Sequence, residues 1–212
     1  MAQKKTGGKY HIEFLNSAQK LAWGAFQQHD VLFLIGPAGV GKSYLAMAFA
    51  VHEILQKTKK RIILTRPIVE AGERLGYLPG DLKEKVDPYM LPLYDCLAKL
   101  VQDPNQKTII DDAIELAPIA YLRGRSFDNS ICIFDEAQNA NLGQLKLFLT
   151  RFASNSKIVV TGDPSQTDIN DSGLADCVRR LETLPGIGII KFKNDSIVRH
   201  PLVGSILERL QD

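Results

Sequence analysis

Long apolar runs are missing from this chain, and none of its hydrophobic stretches approaches the length of a membrane span. Cysteine is scarce: Cys96, Cys132 and Cys177 are odd in number, widely spaced and outside any ligand-like motif. That excludes a disulfide framework and a zinc site and fits a reducing cytoplasm. A dominant charge sign is lacking as well. The net charge of +2, from 26 basic and 24 acidic residues, does not demand a polyanionic partner, although local patches remain open. No internal repeat and no domain-splitting linker interrupts the chain. The first residues, Met1 to Lys9, are basic and lack the apolar core of a signal peptide. Residues 1–12 therefore read as a flexible basic tail, and residues 13–212 as one domain with enough chain to bury its own core.

What is present is concentrated at Gly36–Ser43, which reads Gly-Pro-Ala-Gly-Val-Gly-Lys-Ser. An apolar run, Val31–Ile35, leads into it, and a helix-favouring stretch from Tyr44 to Ala50 follows. Strand, glycine turn and helix in that order form a phosphate-binding loop. The glycines let backbone N–H groups turn inward, and the helix N-terminus adds partial positive charge. Lys42 has the reach for the β- and γ-phosphates, and the Ser43 hydroxyl suits Mg²⁺.

The same alternation continues along the chain. Helices are expected from Asn16 or Ser17 to about Gln28, over 42–56, 91–101, 142–152 and 174–184, and over 202–210 at the end. Strands are expected at 31–35, 61–65, 130–134, 157–161 and 187–192. Alternating strands and helices imply a doubly wound, mainly parallel five-stranded sheet covered on both faces. The Gly- and Pro-rich segment 66–92 reads as a long loop, and 106–125 as short elements.

Two further strand ends carry polar residues toward the edge where open α/β sheets collect their ligands. Ile131–Phe134 ends in Asp135-Glu136. Asp135 is placed to hold Mg²⁺ through water, and Glu136 to polarise the water attacking a γ-phosphate. Val159-Val160-Thr161 runs into Gly162-Asp163-Pro164-Ser165-Gln166, where Gln166 is placed to sense that phosphate. Arg66, Arg74, Lys83, Lys85, Arg123 and Arg125 either line a surface for nucleic-acid phosphates or are ordinary ion-paired charge. Tyr77, Tyr89 and Tyr121 read as packing residues rather than base-stacking ones, and Trp23 as core.

Gly36–Ser43, Asp135–Gln138 and Gly162–Gln166 resemble motifs I, II and III of superfamily 1 helicases. Leu15–Gln19 looks like the adenine-reading Q motif of that group. The stretches 65–81, 117–125 and 197–203 resemble more specifically the PhoH-like ATPase family, and the likeness runs from about Leu15 to Val203. The resemblance implies a cytoplasmic, RecA-like P-loop NTPase that binds ATP, in several relatives as a hexameric ring and with links to RNA metabolism. It places Gln19 against the base beside a phosphate-binding set of Gly36, Pro37, Ala38, Gly39, Val40, Gly41, Lys42, Ser43 and Tyr44. Relatives that add a ribonuclease or KH domain are longer, and 212 residues are expected to hold one core alone.

Together these readings predict a Mg²⁺-dependent ATPase working on or with RNA or single-stranded nucleic acid. Lys42, Glu136 and Gln166 act at the phosphates, and Ser43 and Asp135 hold the metal. Arg199 is expected to reach the ATP site of the next subunit, since a single core must draw its transition-state arginine from itself or from a neighbour. Two alternatives stand beside this: a nucleotide-regulated RNA-binding or scaffold protein with slow hydrolysis, and a P-loop kinase. The adjacent Asp135-Glu136 pair weighs against the kinase, because a water-activating glutamate suits hydrolysis.

Overall fold

The apolar runs singled out in the sequence are the strands of one parallel sheet. The computed structural model describes residues 10–68, 82–193 and 209. Within them the strands are β1 (Val31–Ile35), β2 (Arg61–Thr65), β3 (Ile114–Leu116), β4 (Ser130–Phe134), β5 (Lys157–Gly162) and β6 (Ile187–Lys191). Their order is β3-β2-β4-β5-β1-β6, with every neighbouring pair parallel. The helices are α1 (Ser17–Gln28), α2 (Lys42–Leu55), α3 (Leu82–Leu100), α4 (Pro104–Ala113), α5 (Leu142–Leu149) and α6 (Leu174–Leu181).

Alternation along each strand divides the core in two. Leu32, Leu34, Ile62, Leu64, Ile131 and Ile133 pack with α1 to α4, whereas Val31, Phe33, Ile63, Cys132, Phe134 and Val160 pack with α5 and α6. Both faces are covered, which is why the central strands are apolar throughout rather than alternating. Trp23 lies within this packing as expected, half-buried against Phe26 and Phe49 with His52 edge-on. Cys132 is buried, and burial pushes its thiol up to about 12.

Three expectations are corrected. The sheet has six strands rather than five. The extra one, β3, is a three-residue edge strand paired to β2 inside the stretch expected to hold short elements. The second correction concerns 66–92: α3 begins at Leu82 and carries Pro88 and Pro92 in its interior. Both prolines are exposed and four residues apart, so the helical hydrogen bonds that their rings remove lie on the solvent side. Met90, Leu93 and Leu97, on the other side, are buried at helical spacing and hold the helix against α2. The third is length: α5 and α6 each end about three residues early, and the residue after α5's last turn hands over to a bridge between Phe152 and Phe127.

The strand order is what builds the site. Two strands that do not neighbour each other, β1 and β4, carry the glycine loop and the acid pair, and β5 lies between them. Thr161 and Gly162, at the end of β5, thus fill the gap between loop and acids. A side chain at Gly162 would meet Leu174 Cδ2 at 2.5 Å and Gln138 Oε1 at 3.0 Å, so glycine lets these elements close without displacing either side chain. Of the helices among the described residues, none is long and apolar enough to cross a membrane.

Candidate nucleotide-binding site

At the carboxyl edge of the sheet a cavity of about 500 Å³ is lined by Lys42, Ser43, Asp135, Glu136, Asp163 and Gln166, among others. The glycine loop forms its floor. Gly36 has φ +148°, and a Cβ there would meet the Phe192 carbonyl at 2.6 Å, so the chain can leave β1 in this direction only with glycine. Gly41 caps α2 in the left-handed conformation and offers no side chain to the first turn. The orphan N–H groups of that turn therefore face the cavity without a capping oxygen, the arrangement that receives phosphate. Lys42 spans the loop, its ammonium donating to the carbonyls of Gly36 (2.6 Å) and Pro37 (2.8 Å).

The acids come from β4. Asp135 is only 1% exposed, and its N–H donates to the Thr65 carbonyl of β2. Its Oδ1 accepts from Ser43 Oγ at 2.7 Å and from the Thr161 hydroxyl. The serine of the glycine loop and the first acid, 92 residues apart, are thus in direct contact. Glu136 takes the left-handed conformation, φ +54° and ψ +43°, which costs a non-glycine residue about 1–3 kcal/mol and concentrates at functional sites. Its Oε2 accepts from Gln138 Nε2, and Gln138 in turn accepts from the Asp163 N–H at 3.0 Å. Buried Gln138 therefore ties the ends of β4 and β5 together.

Asp163 receives Ser165 on Oδ1, while its buried Oδ2 accepts no hydrogen bond from the described residues. Buried polar atoms are nearly always satisfied, so an unsatisfied oxygen at this edge marks it as built for further ligands. The donor set fits Mg²⁺: one hydroxyl and one carboxylate oxygen meet at Ser43 and Asp135, and the described residues hold no cluster of three or more ligating side chains. Magnesium keeps several waters and takes substrate phosphate oxygens rather than an all-protein cage.

Gln19 lies under the loop and lines the cavity from there. It is 1% exposed, accepts from Leu15 N–H at 2.8 Å and donates to the Val40 carbonyl at 3.3 Å. Beyond these two bonds its amide has one further N–H and one further lone pair. Tyr44 lines the cavity as well, and burial raises its phenol above the ordinary range. Exposed Gln166 closes the rim, its N–H donating to the Asp163 carbonyl. Arg199 lies outside the described residues, as do Arg74 and Tyr77 and the side chains of Lys83 and Lys85.

Several residues read differently from the sequence. Arg66, for which nucleic-acid contact and ion pairing were both open, is ion-paired, and its partners are the acid pair: its guanidinium is 3.8 Å from Asp135 and 3.6 Å from Glu136. Its signal was its place one residue past a strand end, which needed the strand order to be read. Arg125 is engaged with Glu115 and stacks over Phe127, so the ion-paired alternative holds for it, while Arg123 is exposed. Tyr121 is 56% exposed on a 3₁₀ turn, Ile119–Tyr121, and is not the packing residue expected. Cys96 of α3, assigned no role, lines the cavity, where burial and then the Asp135 charge hold its thiol up.

A six-stranded parallel sheet, a glycine loop opening α2 and a buried acid in contact with the loop serine define a RecA-like P-loop protein that binds nucleotide. The sequence matches the PhoH-like protein family over residues 11–211, and the chain belongs to that family. It is 50% identical over 209 residues to a PhoH-like protein of Bacillus subtilis, covering 97% of this chain and 65% of that protein. It is 39% identical over 193 residues to Protein PhoH of Escherichia coli K12, covering 88% and 54%. The chain thus spans between about half and two thirds of the length of these curated relatives. Among solved structures, the SWI2/SNF2 ATPase core of Sulfolobus solfataricus, in complex with dsDNA, aligns with a TM-score of 0.50 and 16% identity over 91% of this chain and 48% of that one. That likeness is one of fold.

Proposed function

We propose that this chain is a Mg²⁺-dependent ATPase whose hydrolysis is coupled to RNA or single-stranded nucleic acid. The observation that carries the ATPase reading is the 2.7 Å contact between Ser43 and Asp135, with Glu136 next to it on the wall of the same cavity. In hydrolysis the oxygen of water forms a bond to the γ-phosphorus while the bond to the β–γ bridging oxygen breaks, and ADP leaves. Glu136 Oε1 takes the proton lost by that water. Lys42 moves from the loop carbonyls to the β- and γ-phosphates, whose anionic oxygens are the stronger acceptors. Gln166 contacts the γ-phosphate from the rim. Ser43 and Asp135 would hold Mg²⁺, which supplies charge neutralisation at the phosphates when bound. Protein groups need only position and neutralise, since this chemistry asks for little covalent help.

The coupling to nucleic acid rests on the family resemblance and on exposed Tyr121 and Arg123, an aromatic face and a cation two residues apart. A hexameric ring in which Arg199 serves the neighbouring ATP site completes the proposal. Mixing Arg199→Ala with Lys42→Ala subunits restores part of the activity if that is right, whereas a fully active monomer removes it. A second reading, a nucleotide-regulated binding protein with slow hydrolysis, is favoured by one feature: both Glu136 oxygens already face protein groups, Gln138 and Arg66. Phosphate release measured with and without single-stranded RNA, alongside the mass in solution, separates the two. Strong stimulation by RNA supports the coupled ATPase. Unstimulated, slow turnover with nucleotide-dependent RNA binding supports the second reading.

A further inference from the structure

Each acid of the Asp135-Glu136 pair uses one oxygen on a neutral hydrogen-bond donor and turns the other toward the same residue. Asp135 Oδ1 takes Ser43 and Thr161, and Oδ2 lies 3.8 Å from Arg66 Nη1. Glu136 Oε2 takes Gln138, and Oε1 lies 3.6 Å from Arg66 Nη2. The planar guanidinium thus spans two adjacent carboxylates with a separate nitrogen for each, a geometry that lysine cannot reproduce. Both separations exceed a hydrogen bond, so the arginine steers the acids by charge.

The third contact reaches away from the site. Arg66 Nη1 donates to the Tyr89 carbonyl of α3 at 2.9 Å. That carbonyl lies one residue past Pro88, whose own carbonyl loses its helical donor to Pro92, so this turn of α3 is already short of one backbone bond. Arg66 itself is held by its place one residue past β2, whose last residue, Thr65, accepts the Asp135 N–H. Its side chain is 19% exposed, too enclosed to serve as an ordinary surface charge.

We infer that Arg66 is a positioning residue that orients the Asp135-Glu136 pair and couples it to α3, so that the nucleotide state of the site is felt at the Tyr89 turn. The inference rests on the ATPase reading for its kinetic part only. When a nucleotide draws on the acids, the guanidinium loses part of what holds it on their side, and its remaining bond to α3 transmits the change. The sense is reciprocal: a partner that perturbs α3 alters the acids.

The test compares full-length wild type, Arg66→Ala and Arg66→Lys. It measures the affinity for a fluorescent ATP analogue, the kcat and KM for ATP, and the amide hydrogen exchange of α3 with and without ATP and Mg²⁺. Arg66→Ala is expected to keep nucleotide affinity and KM within about threefold while kcat falls about 100-fold, the scale of a 1 Å misplacement of a reacting group. Wild type is expected to show a nucleotide-dependent change in exchange around Tyr89, and in Arg66→Ala that change is expected to vanish. Arg66→Lys keeps the charge without the fork, so it is expected to recover only part of kcat and little of the α3 response. An unchanged kcat in Arg66→Ala overturns the positioning role, and so does a loss of affinity parallel to the loss of turnover. An α3 response that is missing in wild type, or unaltered in both variants, overturns the coupling. If wild type binds ATP without hydrolysing it, the ATPase reading fails by itself, and the exchange measurement still decides the coupling.

Discussion

The two edges of the sheet hold cavities of similar size, about 500 Å³ at the carboxyl end and about 440 Å³ at the amino end, yet they treat their polar groups in opposite ways. The amino-edge cavity is lined mainly by apolar side chains such as Leu142, Leu149, Leu181 and Ile187. The polar residues of that edge close on one another. Lys59 Nζ donates to Asn155 Oδ1, Asn155 Nδ2 donates to Asn129 Oδ1 and to the Thr58 carbonyl, and Ser156 Oγ donates to the Phe127 carbonyl. At the carboxyl edge the polar groups stay open: Asp163 has an oxygen without a partner among the described residues, and two acids share one arginine. Backbone strain is shared between the edges. At the amino edge the left-handed residues Asn129 and Asn155 belong to a type that tolerates that region, while Lys57 there and Glu136 at the carboxyl edge do not. A closed polar network stabilises, whereas an open and strained one is stabilised by its surroundings in order to meet a ligand.

The largest effects are therefore expected at the open edge. Lys42→Ala removes the cation that bridges the loop, and turnover is expected to fall by about 10³-fold together with a clear loss of ATP affinity. Nucleotide titration and phosphate release check both, and near wild-type activity would end the phosphate-loop assignment. Glu136→Gln keeps the shape and the contact with Gln138 but cannot take a proton. Turnover is expected to drop by about 10² or more while ATP stays bound. A variant that lost binding instead would make Glu136 part of the architecture and blur the contrast between the edges.

Much of the open edge was legible in the sequence because its signals are local. The glycine loop, the strand before it and the helix after it are contiguous, and Asn16 caps α1 through the Gln19 N–H within four residues. The central strands were legible because burial on both faces leaves them uniformly apolar. What stayed hidden depends on neighbours distant in the chain. Three-residue β3 is too short for a period and exists because β2 offers it an edge, with Arg61 and Arg125 meeting Glu115. The prolines of α3 looked like stops because the sequence does not say which face is wet. Arg66 could not be assigned to the acids until β2 was known to lie beside β4, with Thr65 opposite Phe134.

Gln19 sits where the two kinds of network meet. Its amide braces Leu15 and Val40, as a closed network does, and keeps one donor and one acceptor toward the cavity, as an open one does. Gln19→Ala is expected to reduce the preference for ATP over GTP about fivefold, the ~1 kcal/mol of one hydrogen bond. It also leaves the buried Val40 carbonyl without its donor, so stability is expected to fall by about 1–2 kcal/mol. Competition between the two nucleotides and thermal unfolding read the two effects separately. A fall in stability with base preference intact would move Gln19 wholly into the closed class.

The smallest effect on turnover is expected at Asn155, although it is the hub of the amino edge. Its side chain joins Lys59, Thr58 and Asn129, the residues that open β2 and β4, and its backbone sits at φ +52° just before β5. Asn155→Ala removes all three side-chain bonds and puts a Cβ without polar compensation into the left-handed region. It also strips buried Lys59 of its amide acceptor, leaving Glu53 at 4.0 Å as the remaining ion-pair contact. The combined cost is about 2 kcal/mol, which for a chain of this size lowers Tm by roughly 4–8 °C. Asn155→Gly relieves the backbone without restoring the bonds, so its Tm is expected between those of the alanine variant and the wild type. In both variants KM and kcat for ATP are expected to stay within about twofold of wild type, measured well below the melting transition. The strands that Asn155 ties at one end carry Arg66 and Asp135 at the other, which makes this a severe test. A kcat that fell in step with Tm would show that the strands pass disturbance along their length, and the two edges would have to be treated as one unit.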